Sequence, residues 1–322
     1  MRTTLKDVAK EAGISFTLVS KYLSHNPDAR MRQETKRRID EAVKKLNYRP
    51  SAIARSLKNG RTKTIGLVIS NLRNPYFSLF ADYTLREVKA AGYQLLISLC
   101  DYGRKEEQKS LCSLIERQCD GILYCEQMFP DTTDATSFPI VLIEQKSDHF
   151  LYAKSSSADA LKEAVAFLAS RGTRDLFAIY SEYCDWNDVV RDECRRNGID
   201  LNTQTTVPDR SAREEILRDI CRRAPSAILS HGWQTTVQLL RLIRTEFPDY
   251  KPEIVTNYHF YHPAFSDERV VGAIRSDLPD LVRKTVRLLL DKLEGKRAES
   301  LELPTRFHPI ATLPPDNTEF FC

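Results

Sequence analysis

The sequence predicts an α/β protein: a small N-terminal helix-turn-helix domain followed by a body of two lobes, each a doubly wound parallel sheet. Three observations support this fold class. Residues 4–46 place apolar side chains at helical spacing, the chain after Thr64 alternates short apolar runs with amphipathic stretches, and positive charge is concentrated near the N-terminus.

The first predicted helix has a signal at each end. Thr4 and Asp7 have the spacing of a capping box, and Gly13 is suited to end the helix because glycine accepts a positive φ. Between these signals apolar residues recur at i, i+3, i+4 and i+7, namely Leu5, Val8, Ala9 and Ala12.

Two further helices complete the unit. Ser15 can cap a helix from Phe16 to about Ser24, with Val19 and Leu23 on its inner face. The third helix has its apolar stripe at Ile39, Ala42, Val43 and Leu46. Two short helices joined by a glycine turn and braced by a third are typical of a helix-turn-helix DNA-binding domain.

The charge distribution agrees with this interpretation. Residues 1–61 hold 15 Lys and Arg against 6 Asp and Glu, a net charge of +9. The remaining chain holds 33 against 38, a net charge of −5. A basic domain on an acidic body favours binding of a polyanion at one end, and a solvated basic surface without a partner is the weaker alternative.

Three groups of residues carry a resemblance to a known family. They are LKDVAKEAGIS at 5–15 with VS at 19–20, LNYRP at 46–50 with ARSL at 54–57, and IGLV at 65–68 with NPYF at 74–77. Together they resemble the lactose-repressor (LacI/GalR) family, with a likeness that thins out after about residue 170. The resemblance implies a repressor that binds a pseudo-palindromic DNA operator as a homodimer, modulated by a small-molecule effector.

The linker predicted at residues 47–63 follows a helix-turn-helix domain at 1–46. Residues 51–58 have a helix-compatible pattern, but so short a helix is not stable alone in water. The resemblance implies that it forms on DNA beside its mate from a second subunit, with Leu57 inserted into the minor groove. A plain linker is the alternative.

DNA contacts are assigned by position. Side chains near the start of the second helix enter the major groove, so Phe16, Thr17 and Lys21 are candidate base contacts, matching the family's base-reading positions. The alternative for Phe16 is a core aromatic under the turn. Candidate phosphate ligands are Ser15, Ser20 and Thr35. Tyr48, Ala54 and Leu57 are further candidate DNA contacts.

Two positions depart from the family pattern in this region. Ser51 stands where Asn is usual, and Leu18 stands where Thr is usual on the second helix. The loss of a hydroxyl at Leu18 lowers affinity rather than base preference.

The body, residues 64–322, is predicted to contain eight strands. They are expected at Ile65–Ile69, Leu95–Leu99, Gly121–Tyr124, Pro139–Ile143, Leu176–Tyr180, Ala227–Leu229, Glu253–Val255 and Val270–Ile274. Eight strands exceed one ordinary sheet, and a polar break falls at His149–Ser157. The resemblance implies a periplasmic-binding-protein-like body, with one lobe at about 64–155 plus 277–304 and the other at about 156–276 plus 305–322.

Ligands of open parallel sheets bind beyond the carboxyl ends of the strands. In the first lobe this rule selects Asn74, Tyr76, Phe77 and Glu144 as candidate ligand contacts. Glu144 matches a family Asp and can accept from a hydroxyl or an amine, while the aromatic rings can stack on a sugar or another ring. A solvated carboxylate and aromatics that close the lobe interface are equal alternatives.

The second lobe departs from the family further. Gly232 replaces an Asp, Ser276 replaces a Gln and Pro309 replaces an Arg, while a second Arg falls on either Arg191 or Trp186. The loss of three polar anchors argues against a typical neutral sugar. Trp186, Trp233, Tyr258 and Phe260 indicate a more aromatic cleft, which leaves a phosphorylated ligand, a nitrogenous ligand or no effector open.

Other function classes lack their signatures. The sequence contains no phosphate-binding glycine loop, no nucleophile-elbow motif and no zinc-protease motif, so no enzyme, cofactor or metal site is expected. Weak metal alternatives are Cys112 with Cys119 and Cys125, and His259 with His262. A cytosolic solute-binding protein without operator specificity is the main alternative to a regulator.

The cellular location and the oligomeric state are predicted from sequence features that are absent. There is no secretory signal and no apolar run near 18 residues, which indicates a cytoplasmic protein with reduced cysteines and no membrane partner. Only seven residues follow Pro315, too few for a tetramer-forming helical bundle, so a dimer is expected.

Overall fold

The computed structural model describes residues 3–24, 31–49, 60–100, 104–125, 138–180, 186–205, 207, 209–257 and 267–310. The chain separates into two compact units, Met1–Lys63 and Thr64–Cys322, called here the N-terminal domain and the body.

Three helices surround a small apolar core in the N-terminal domain. They are α1 (Leu5–Ala12), α2 (Phe16–Leu23) and α3 (Gln33–Lys45). The core draws on all three helices and contains Val8, Ala9, Ala12, Val19, Ile39 and Ala42. All six belong to the predicted apolar stripes, so the helical periodicity predicted from the sequence is confirmed.

The ends of the first two helices are formed by the predicted residues. Thr4 and Asp7 make both halves of a capping box. Gly13 follows α1 with a φ of 63°, and a Cβ at this position would meet the Arg38 guanidinium at 2.7 Å. The Ser15 hydroxyl accepts from the Leu18 N–H at 3.4 Å and caps α2.

The first sheet of the body has six strands, all paired in parallel. The strands are β1 (Thr64–Ile69), β2 (Gln94–Leu99), β3 (Gly121–Cys125), β4 (Ile140–Ile143), β5 (Leu151–Ser156) and β11 (Leu301–Pro304). Their order across the sheet is β11-β5-β4-β3-β1-β2. Helices α4 (Pro75–Ala90) and α10 (Leu278–Leu293) pack on one face, and α5 (Arg104–Glu116) packs on the other.

The second sheet also has six strands. They are β6 (Asp175–Tyr180), β7 (Asp200–Thr205), β8 (Ala227–Ser230), β9 (Glu253–Asn257), β10 (Val270–Arg275) and β12 (Arg306–Pro309). Their order is β12-β10-β9-β8-β6-β7. Helices α6 (Ala158–Ser170) and α7 (Asn187–Asn197) cover one face, and α8 (Arg210–Arg223) and α9 (Trp233–Glu246) cover the other. Coverage on both faces explains the near-continuous burial of the central strands.

All eight predicted strands are observed, and the doubly wound α/β fold class is confirmed. Four additional strands, β5, β7, β11 and β12, lie at or next to the sheet edges. The segment His149–Ser157, interpreted as a polar break, instead contains strand β5 of the first sheet. The expected break in the regular secondary structure is therefore wrong. The second sheet is also not purely parallel, because β12 pairs antiparallel with β10.

Candidate nucleic-acid interface and ligand cleft

The start of α2 presents the predicted base contacts on its outward face. Phe16 is 48% exposed, and Thr17 and Lys21 are also exposed. Thr17 and Lys21 are four residues apart and share one side of the helix, while Val19 on the opposite side is fully buried. The predicted exposure of Phe16 is confirmed, and its role in base contact stays a prediction.

The predicted phosphate ligands have different surroundings. Ser15 is exposed and already caps α2 with its hydroxyl, and Ser20 is half-buried. Thr35 lies in the first turn of α3, where backbone N–H groups of the helix start are available for an anion. Tyr48 is half-buried and packs against the core of the N-terminal domain, so its ring has a structural contact as well.

Contacts between α2 and α3 fix the position of the outward face. The Tyr22 hydroxyl donates to the Asp40 carboxylate at 2.9 Å, and this hydrogen bond raises the pKa of Tyr22. The Arg38 guanidinium donates to the Ala12 carbonyl at 2.6 Å. These bonds tie α3 to α2 and to α1, so α2 is held within one compact unit. Ala54 and Leu57, with the predicted hinge helix at 51–58, lie outside the described residues.

Asn74 is at the first of the predicted ligand positions, directly before α4. Its side-chain oxygen accepts from the Tyr76 N–H at 3.1 Å and from the indole N–H of Trp233, also at 3.1 Å. The Asn71 side chain supports this turn by accepting from the Arg73 and Asn74 N–H groups. Two predicted ligand contacts from different sheets are thus brought together.

Tyr76 and Phe77 are partly buried and pack against the core of the first sheet. Their ring centroids are 5.5 Å apart in an edge-on arrangement. Burial raises the pKa of Tyr76 well above its usual value, with further contributions from Cys125 and Glu144 nearby. The phenol is therefore neutral at physiological pH, and both rings act in part as core residues.

Glu144 follows β4 with a φ of 59°, a left-handed conformation. Its carboxylate accepts from the Ser155 N–H at 2.9 Å and from the Ser155 hydroxyl at 2.6 Å. The alternative of a merely solvated carboxylate is therefore wrong, because Glu144 ties the end of β4 to β5. A carboxylate has further lone pairs, so a ligand contact stays a prediction.

Trp186 and Arg191, the two positions on which the family's second arginine could fall, differ in their surroundings. Trp186 is only 4% exposed, belongs to the core of the second sheet and lies edge-on to His231, with ring centroids 4.8 Å apart. Arg191 lies on α7, about half exposed, and donates to Asp188 and Asn187 of the same helix. Ser276 is half-buried directly after β10. Tyr258 and Phe260 lie outside the described residues.

Sequence reasoning missed a polar network beneath Trp233. The Gly232 N–H donates to the Asn257 side chain, and Gly232 has a φ of 94°. The Thr236 hydroxyl is 3.0 Å from that of Ser230 and 2.6 Å from that of Thr256. These residues come from β8, α9 and β9, so no local sequence signal links them.

No group of three His, Cys, Asp or Glu side chains that could hold a metal is found among the described residues. Cys112 is exposed, whereas Cys119 and Cys125 are buried, and burial raises the pKa of Cys119 to about 11. His259 and His262 lie outside the described residues. Within the described part of the chain, no helix is long and apolar enough to cross a membrane.

Comparison with known proteins identifies the N-terminal domain. Residues 4–51 match the family model described as "Bacterial regulatory proteins, lacI family". Catabolite control protein A of Staphylococcus epidermidis is 30% identical over 189 residues, which cover 57% of this chain and 57% of that protein. The Staphylococcus xylosus protein of the same name is 25% identical over 297 residues, covering 88% of each chain. The first of these matches therefore spans little more than half of the relative.

Solved structures share the fold. The lac repressor dimer bound to operator and an anti-inducer has a TM-score of 0.81 at 18% identity, covering 98% of this chain and 100% of that one. The Cra regulator of Pseudomonas putida, in complex with fructose 1-phosphate, has a TM-score of 0.68 at 16% identity, covering 77% and 98%. At such identities the likeness establishes the architecture of both units.

Proposed function

Since the chain belongs to the LacI family of bacterial regulatory proteins, we propose that it is a transcription regulator that represses by binding a pseudo-palindromic operator. The observation that carries this proposal is the outward face of α2. An N-capped second helix exposes an aromatic, a hydroxyl and an amine within its first six residues, on a domain with a net charge of +9. The protein acts as a cytoplasmic binding protein rather than a catalyst.

Base recognition is assigned to three side chains. Lys21 donates to guanine O6 or N7, Thr17 donates to or accepts from a base edge, and Phe16 packs on a thymine methyl. Phosphate contacts by Ser15, Ser20 and Thr35 set the register. Tyr48, Ala54 and Leu57 complete the DNA-binding set, with Leu57 in the minor groove.

Two subunits associate through their bodies and place two copies of α2 about one helical turn apart on the duplex. The relatives with solved structures include a lac repressor dimer on its operator, which supports this arrangement. The proposed division is 1–46 for the DNA-binding domain, 47–63 for the linker with a helix at 51–58, and 64–322 for the body. The lobes are about 64–155 plus 277–304 and about 156–276 plus 305–322.

A small molecule in the cleft between the lobes modulates binding. Its contacts are drawn from Asn74, Tyr76, Phe77, Glu144, Trp186, Arg191, Trp233 and Ser276. A ligand that prefers one angle between the lobes shifts the spacing of the two linkers, and so changes the stability of the DNA-bound form. The Pseudomonas putida neighbour is bound to fructose 1-phosphate, which supports a phosphorylated ligand as one class to try first.

Selection of bound fragments from random duplex DNA by the purified full-length protein tests the function. The expected product is a pseudo-palindrome whose half-sites are about 10 base pairs apart, bound with a strong dependence on salt. A cytosolic solute-binding protein would enrich no motif. That outcome would contradict the proposal.

A further inference from the structure

A hydrogen bond joins the two sheets of the body at the ends of their strands. Trp233, the first residue of α9, donates from its indole nitrogen to the side-chain oxygen of Asn74 at 3.1 Å. Asn74 lies beyond the carboxyl end of β1 in the first sheet, and Trp233 follows β8 of the second. The bond therefore connects the two sheets at the carboxyl ends of their strands, where ligands of open parallel sheets bind.

The Asn74 side-chain oxygen is both oriented and saturated. Its side-chain oxygen accepts from the Tyr76 N–H, which caps α4 and so determines the direction in which the oxygen points. A carbonyl oxygen has two lone pairs, and the Tyr76 N–H and the Trp233 indole occupy both. A ligand that donates to this oxygen must therefore displace the indole or uncap the helix.

The turn before Trp233 is held from the other side. Gly232 adopts a φ of 94°, and its N–H donates to the Asn257 side chain. Thr236, one turn into α9, is fully buried and hydrogen-bonded to Ser230 and Thr256. These bonds anchor the start of α9 to the ends of β8 and β9, which fixes the backbone from which the indole projects towards Asn74.

We infer that Asn74 and Trp233 form a latch, a hydrogen bond that holds the two sheets of the body together, and that Trp233 controls access to the Asn74 side-chain oxygen. An effector that binds this oxygen has to replace the indole with its own N–H or O–H donor. Compounds without such a donor cannot take the place of the indole at this oxygen. The inference rests on the proposed effector cleft but is independent of DNA binding.

The latch can be tested by substitutions that separate its two roles. Ser and Asp both cap helices, so Asn74→Ser and Asn74→Asp each keep the start of α4. Only the Asp side chain still reaches the indole and accepts from it. The chain has two tryptophans, so Trp186→Phe leaves Trp233 as the single tryptophan, and its emission is excited selectively over that of the tyrosines. The measurement is acrylamide quenching of its fluorescence in the full-length protein without added ligand.

Loss of one hydrogen bond raises the ratio of open to closed bodies on the order of five-fold. Asn74→Ser is expected to increase quenching and shift emission to the red, while Asn74→Asp behaves like the parent. Equal quenching in all three proteins would overturn the latch, as would an Asn74→Asp variant that quenches like Asn74→Ser. No DNA enters the assay, so failure of the proposed regulatory function would leave this result unchanged.

Circular dichroism checks that the Trp186→Phe background folds, since Trp186 is a core residue. If it does not fold, small-angle scattering of Asn74→Ser and Asn74→Asp in the otherwise unaltered chain tests the latch instead. A larger radius of gyration is expected for Asn74→Ser alone, and equal radii would overturn the latch.

Discussion

The outward face of α2 and the ends of the body strands use their polar side chains in opposite ways. On α2 the predicted contacts Phe16, Thr17 and Lys21 face solvent. In the body, Asn74 and Glu144 are hydrogen-bonded to Trp233 and Ser155. The first surface is open to solvent, whereas the second is stabilised by its own side chains. The proposed ligand of the body must therefore compete with existing bonds, and the proposed DNA contacts of Phe16, Thr17 and Lys21 need not.

The prediction with the largest expected effect compares the unfolding of the N-terminal domain with that of the body. Ile39 is fully buried in a small core, to which six buried residues of the described part of the domain contribute. Ile39→Ala is therefore expected to destabilise the N-terminal domain by about 2–5 kcal/mol. Thermal unfolding of the full-length protein should then lose the transition of this domain and keep that of the body. Ile39→Val is the matched control, with a cost of about 0.5–1.5 kcal/mol. A change in the body's transition would contradict the independence of the two units.

The second prediction concerns a bonded carboxylate of the body. Burial alone would raise the pKa of Asp267, but hydrogen bonds from the Arg269 backbone and from the Arg244 and Arg269 side chains outweigh it and lower the pKa. The unfolded value is about 3.9, so the stabilisation is complete above that pH and is lost as pH falls through the lower folded value. Asp267→Asn should cost about 1.5–3 kcal/mol at pH 7.

Urea unfolding at pH 7 and pH 3 measures this effect. The difference between the unaltered protein and Asp267→Asn should narrow at the lower pH, because below about pH 3.9 the unfolded chain binds a proton at Asp267 more readily than the folded protein does. A difference that is the same at both pH values would mean that the carboxylate charge does not stabilise the body.

The third prediction sharpens the description of α2. Lys21→Ala should reduce discrimination at one base position by about 1–3 kcal/mol, because an amine on a base edge carries sequence information. Lys44→Ala, an exposed lysine in the last turn of α3, is the control and should change all sequences equally or not at all. Gel-shift titrations against a selected site and its single-base variants measure the effect. An unchanged base preference in Lys21→Ala would remove Lys21 from the base contacts.

The smallest effect tests whether Glu144 has a structural role. Ser155→Ala removes the hydroxyl that donates to Glu144 but keeps the backbone N–H, so the cost should be about 1 kcal/mol. Urea unfolding measures it. A negligible cost of Ser155→Ala would mean that the hydrogen bond between β5 and Glu144 does not stabilise the body.

The N-terminal domain was predictable because its signals are local. Thr4 with Asp7, Gly13 and Ser15 each act within three residues of the helix end that they form. The central strands were predictable because burial on both faces requires continuous apolar runs. Three of the four edge strands, β7, β11 and β12, escaped this signal. β7, for example, is polar except for Leu201 and is held by backbone pairing with β6.

The cleft could be located but not described from the sequence. The rule for open parallel sheets selected Asn74 and Glu144, and Trp233 was selected as an aromatic residue of the cleft, yet the partners of these side chains lie on other elements of the body. Asn74 and Trp233 are 159 positions apart, and β5, which carries Ser155, lies between β4 and a strand that begins at Leu301. Local pattern contains no information about such pairs, so their bonding followed only from the three-dimensional structure.

The central claim is that α2 reads a defined duplex sequence. Titration of the full-length protein, at physiological salt, against its selected site and a scrambled site of equal length tests this most directly. The account predicts that the selected site is bound at least about 1,000-fold more tightly. Equal, weak affinity for both duplexes, with or without candidate small molecules, would contradict it.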